Sequence, residues 1–163
     1  MKNKTQLKRG IGLAEVLIAI FIFSSVLTAV IYASNQYISG SSDNLRSAQG
    51  AFLAEEGIEA IKTIRDNNWT NISSLSTTTT YYLQFNATTS LWGATTTVST
   101  VNGLFTRKFN LFDVKRDSNG RVVLSGGTID PKSKKITVSV TWIAKSGTTT
   151  KSLSTYITNL VLN

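Results

Sequence analysis

The sequence predicts an α+β protein: a long N-terminal helix, half transmembrane and half amphipathic, packed against a C-terminal antiparallel β-sheet head. Three observations carry the expectation. Residues 11–33 form an apolar run without Pro. Behind it, Leu45, Ala48, Phe52, Ala54, Ile58, Ile61 and Ile64 recur mostly three or four residues apart, with Glu55, Glu56, Glu59, Lys62 and Arg65 largely between them, the period of an amphipathic helix. Further on, Ile136, Val138, Val140 and Trp142 alternate with Thr137, Ser139 and Thr141, the period of a half-buried strand. An apolar helix face laid over such a sheet gives a two-layer core.

Lys2, Lys4, Lys8 and Arg9 precede the apolar run, and the next basic residue after it is Arg46. About 20 residues rising ~1.5 Å each cover ~30 Å of hydrocarbon, so the run is long enough to cross a bilayer. The charge asymmetry places the leader in the cytoplasm and everything beyond Ala33 outside. An ordinary secretory signal has a shorter apolar core, about 7–15 residues; a cut at Ala33-Ser34 would make this one and remove Glu15. That carboxylate is the anomaly of the run. An acid at the centre of a membrane helix costs roughly 2.5–3.5 kcal/mol, and although Glu15 is nearer the end it requires a partner or an interface to snorkel to. If the chain is cut after Gly10, Ile11 gains an ammonium group. Helices packed side by side then set the amine of one against the carboxylate of the next, and in low dielectric either group alone is worse off than the pair.

The junction Lys8-Arg9-Gly10-Ile11-Gly12-Leu13-Ala14-Glu15 and the apolar run behind it resemble the amino terminus of type IV prepilins and the related pseudopilins. The resemblance covers residues 8 to about 33. It implies a basic leader over residues 1–10, removed after Gly10 by a membrane-embedded prepilin peptidase, N-methylation of Ile11, and an assembly role for Glu15 as the fifth mature residue. The first mature residue here is Ile rather than the usual Phe or Met, and Gly12 stands where Thr is frequent. The run Glu15–Phe23 looks most like that of a minor pilin. Implied partners are the inner or cytoplasmic membrane, the peptidase and other pilin subunits. The implied location is a single-pass membrane protein before assembly and a cell-surface filament after it. Many pilins close the C-terminal region with a disulfide; this chain has no Cys.

The amphipathic half of the helix is expected over residues 35–68. Ser39-Gly40-Ser41-Ser42 is poor helix material and Asp43 a plausible cap, so a bend or loosened turn is expected there. The chain's one Pro lies at position 131, so no Pro breaks the membrane helix. Asp66-Asn67-Asn68 ends the pattern. The head, residues 69–163, is rich in Thr, which suits strands; candidate strands are 81–85, 95–101, 104–115, 121–124, 135–144 and 151–162. Asp117-Ser118-Asn119-Gly120 and Lys145-Ser146-Gly147 read as hairpin turns, while Gly126-Gly127 and Asp130-Pro131 bracket a looser connection.

The chain has 17 basic and nine acidic residues. Residues 11–68 carry a net −3 and residues 69–163 a net +7, an asymmetry that favours association with anionic polymers or between head and stalk. Arg107, Lys108, Arg116, Lys134 and Lys135 are the candidate polyanion contacts, with Tyr81, Tyr82 and Trp92 able to stack on nucleic-acid bases if exposed; a solvated basic surface is the plainer reading. Without His or Cys, the common nucleophile–base pairs and most transition-metal sites are excluded. No catalysis, cofactor or metal is expected. Asp113, Asp117 and Asn119 fall short of a calcium loop and read as a turn. Asn68-Trp69-Thr70, Asn71-Ile72-Ser73 and Asn86-Ala87-Thr88 match the glycosylation tripeptide, a frequent coincidence in this composition. The function expected is a structural subunit, most like a minor one, of a type IV pilus or pilus-like filament. The alternatives are a minor pseudopilin of a secretion or competence system and a signal-anchored adhesin that does not polymerise.

Overall fold

The structure, a computed structural model, describes residues 12–145 and 147–159, so Lys8, Arg9, Gly10 and Ile11 lie outside the described residues. Two compact units divide the chain between Ser42 and Asp43. One helix, α1, spans Leu13–Asn67. Residues 39–42, where a bend or loosened turn is expected, are helical. Gly and Ser weaken a helix by only about 0.5–1 kcal/mol each, and with no Pro to break the hydrogen-bond ladder the flanking residues carry it through. Asp43 is therefore interior to α1 and caps nothing.

In the second unit α1 is followed by a one-turn helix, α2 (Thr70–Ser73), whose first turn is held by Asn68 Oδ1 accepting from the Thr70 N–H at 2.8 Å. Then come β1 (Tyr81–Asn86), β2 (Leu91–Thr95), β3 (Thr100–Val101), β4 (Phe105–Arg116), β5 (Val122–Val123), β6 (Thr128–Ala144) and β7 (Gly147–Thr158). They form one antiparallel sheet in the order β2-β1-β4-β6-β7, with β3 and β5 also paired to β4. The β1–β2 hairpin places a strand at Leu91–Thr95 that the sequence did not announce, because Trp92-Gly93-Ala94 lacks alternation. The predicted strand at 95–101 shrinks to Thr100–Val101.

Alternation sets the two faces of the sheet. Phe105, Phe109, Leu111, Ile136, Val138, Val140 and Trp142 are buried toward α1 and make the core with Ala54, Ile58, Ala60, Ile61 and Ile64. On the opposite face hydroxyls pair across strands, Thr137 with Ser154 at 2.8 Å, Ser139 with Ser152 at 2.9 Å and Thr141 with Thr150 at 3.0 Å, which accounts for the strand content of a Thr-rich sequence.

Pro131 lies inside β6, not in a connection. Between Asp113↔Lys134 and Lys115↔Ile129 the β4–β6 register shifts, and Pro131 sits in that bulge, where a missing N–H costs no ladder hydrogen bond. Arg116 ties the bulge down: its Nε donates to Asp130 Oδ2 at 2.7 Å, and its two terminal nitrogens donate to the Gly120 carbonyl at 2.9 Å and Ser133 Oγ at 3.3 Å. The Arg116 hydrogen bond, followed by that of Ser133 and then the Lys132 N–H, holds the Asp130 carboxyl below its ordinary value of 3.8 against an opposing effect of burial. The folded state thus binds this proton less readily than the unfolded chain. Its stabilisation is complete above the ordinary carboxylate range and is lost as pH falls through the lowered folded value. Asp130→Asn is expected to cost about 1 kcal/mol at neutral pH, a small figure because Arg116 is partly exposed. Unfolding midpoints measured from pH 7 to pH 2 should converge for the two chains at the acid end.

Candidate functional site

Every residue from Gly12 to Ile38 is exposed, and this is the most apolar part of the chain. The helix is long and apolar enough to cross a membrane by length and composition. Two of its hydroxyls are satisfied locally: Ser25 Oγ donates to the Ile22 carbonyl at 2.7 Å and Thr28 Oγ1 to the Ser24 carbonyl at 2.8 Å, the arrangement by which such side chains are tolerated in hydrocarbon. Glu15 differs. It lies in the first turn of α1, where the helix dipole favours an acid, and it shares a strip with Val16, Ala19, Ile20 and Phe23. Among the described residues its carboxylate has no hydrogen bond or ion pair. The residue expected to supply a partner, Ile11, lies outside them.

In the second unit the contact between α1 and the sheet is made through small residues and isoleucines. Gly50, Ala54, Gly57, Ile58, Ala60, Ile61 and Ile64 are buried, whereas Leu45 and Phe52, read from the sequence as core-facing, are 61% and 69% exposed; Ala48 is exposed too. At ~100° per residue, positions 45, 48 and 52 fall roughly half a turn round the helix from 54, 57 and 61. Glycine decides the seam. A Cβ on Gly50 would stand 2.6 Å from Trp142 Cζ3, and one on Gly57 would stand 2.8 Å from Val138 Cγ1 and 3.2 Å from Arg107 Cδ. The backbone of α1 lies that close to β4 and β6. The run of small residues at 50, 54 and 57, three and four apart, was the sequence signal for this face.

Arg107 is not a surface cation. It is 5% exposed, donates to the Leu53 carbonyl at 3.3 Å, pairs with Glu56 Oε2 at 3.1 Å and lies over the Trp92 ring, 5.3 Å from its centroid. The arginine fastens helix to sheet. Its Nε and Trp142 Nε1 are buried without hydrogen-bond partners, a cost of the close approach. The other expected polyanion contacts divide. Arg116 is spent on the bulge, and Lys134 Nζ pairs with Asp113 Oδ1 at 2.6 Å. Lys108 and Lys135, both partly exposed, belong to the hydroxyl-bearing face of the sheet. Tyr81 stacks on Phe109 at 5.7 Å and Trp92 packs against Phe85 at 5.2 Å, so neither ring is free for a base. The five cations do not converge on one surface.

Asp117 Oδ1 accepts from the N–H groups of Asn119 and Arg121 at 2.9 and 2.8 Å, and Gly120 takes φ +76°. That carboxylate closes its own turn. Asn86 similarly accepts from Thr88 and Thr89 in the β1–β2 turn. Among the described residues no cluster of three or more metal-ligating acids is present.

No family model, curated protein or solved structure matches the chain. The functional reading therefore rests on the residues themselves.

Proposed function

We propose that this protein is a structural subunit of a type IV pilus or pilus-like filament, most like a minor pilin, cut by prepilin peptidase after Gly10, methylated on Ile11 and assembled through its N-terminal helix. One observation carries the reading: an apolar helical segment, exposed from Gly12 to Ile38, holds a carboxylate that has no partner among the described residues, four residues behind the Gly10–Ile11 junction. Apolar surface on all sides of a helix requires a bilayer or other helices around it, and a carboxylate in that setting requires a cation. A second copy of the same cut helix supplies both. The helix is held by the membrane before assembly and by neighbouring subunits afterwards, registered by the pair between Glu15 and the Ile11 amine. The head, built on α1 from Asp43 onward, is carried outside the cytoplasm.

Co-expression with a prepilin peptidase, followed by intact-mass and N-terminal peptide mass spectrometry, tests the reading. A mature terminus at Ile11 is expected, with or without an added methyl group. An uncut chain would favour a tethered adhesin, and a cut near Ala33 would make this an ordinary secreted protein without Glu15.

A further inference from the structure

Among the described residues β7 is the outer strand of the sheet and pairs only with β6. Native proteins blunt such edges by shortness, Pro, bulges or charges. β7 has twelve residues, no Pro and a single charge, Lys151, and its register with β6 is unbroken from Ala144↔Gly147 to Ser133↔Thr158. On the helix side it presents Thr149, Lys151, Leu153, Thr155 and Ile157, the residues opposite the inward side chains of β6. Ile157 is buried, but Leu153 is 41% exposed. Leu153 and Thr155 border a groove of about 250 Å³ whose other wall is Glu55, Ile58, Glu59 and Lys62 of α1. Glu59 is already paired with Lys62 at 2.6 Å. Glu55 and Lys151 have no ion pair among the described residues.

We propose that β7 pairs with β7 of a second copy, antiparallel, across a twofold axis at Leu153. Leu153 then meets Leu153 of the second copy, Lys151 lies opposite Thr155, and Thr149 opposite Ile157. Residues 148–158, nearly the whole strand, are used. Lys151 of each copy thereby arrives at the Thr155 wall of the other's groove, whose far wall carries Glu55, Glu59 and Lys62, and the contact is made twice by symmetry. On the opposite face Ser152 meets Ser154, and the hydroxyl rungs Thr137–Ser154 and Ser139–Ser152 continue across the seam. An axis one residue away, at Ser152, sets Lys151 against Leu153 and loses the apolar pair. The contact is isologous and closes at two copies, so it is separate from assembly through the N-terminal helix and does not depend on it.

The chain has no Cys, so single-cysteine variants of the full chain in detergent micelles report the register. Under mild oxidation Leu153→Cys is expected to form a disulfide-linked dimer, because directly opposed Cβ atoms lie about 4.5–5.5 Å apart, near disulfide geometry. Thr149→Cys is not, because the same register separates its two copies by about 26 Å at ~3.3 Å per residue. No dimer at position 153, or equal yields at 149 and 153, overturns the pairing. The unsubstituted chain gives an independent readout free of folding defects. Its β7 amides should gain protection from hydrogen exchange as concentration rises, and unchanged protection overturns the proposal.

Discussion

Gly57→Leu is expected to destabilise the head by about 2–4 kcal/mol, the sum of overpacking and a disturbed buried cation. The first carbon of the new side chain already falls 2.8 Å from Val138 Cγ1 and 3.2 Å from Arg107 Cδ. Val138 is wholly buried in the middle of β6 and has nowhere to move. Arg107 can give way only by leaving Glu56 and the Leu53 carbonyl, which strands a guanidinium beneath the helix. Against this, leucine gains about 0.8 kcal/mol of helix propensity over glycine. The same substitution at Gly40 provides the control, since a Cβ there meets nothing within 4 Å and only the propensity gain remains. Urea unfolding followed by near-ultraviolet circular dichroism, which reports on Trp92 and Trp142, should show opposite signs at the two positions. A Gly57→Leu chain as stable as Gly40→Leu would mean that α1 does not approach the sheet as closely as described.

Glu15→Ala should remove the subunit from filaments while leaving the head's unfolding midpoint unchanged. Under the proposed function the carboxylate neutralises the Ile11 amine of a neighbouring subunit, and stranding that amine in hydrocarbon costs roughly 2.5–3.5 kcal/mol, or about a hundredfold in incorporation. Insertion into the membrane should not suffer, because alanine makes the helix more apolar. Membrane fractionation and quantification of the subunit in sheared filaments separate the two effects. Glu15→Gln, which keeps the size and discards the charge, should behave as Glu15→Ala does. Normal incorporation of either variant would deprive Glu15 of its proposed role.

The elements whose side chains alternate or recur strongly were legible in the sequence, because local periodicity alone specifies them. Ile136 to Trp142 announced β6, and the apolar run announced the first half of α1. The turn at Asp117–Gly120 was legible for the same local reason, as Asp117 bonds the backbone two and four residues ahead. Strand ends were not, since they depend on partners: Pro131 looks like a breaker until β4 is seen to skip past it in a bulge.

The sequence by itself determined that an apolar helix precedes a β-rich, disulfide-free head and that a carboxylate interrupts the helix. Only the tertiary structure decided which face of α1 meets the sheet and which cations are available. Leu45 and Phe52 lost the core to Gly50 and Gly57 because close approach of helix to sheet, with Trp142 and Val138 filling the seam, favours the absence of a side chain over the presence of a large one. Arg107 and Arg116 read as surface charges because sequence records charge and not burial. Folded, Arg107 is clamped under the helix by Glu56 and the Leu53 carbonyl, and Arg116, partly exposed, is held in the bulge by Asp130, since a guanidinium withdrawn from water requires a counter-charge.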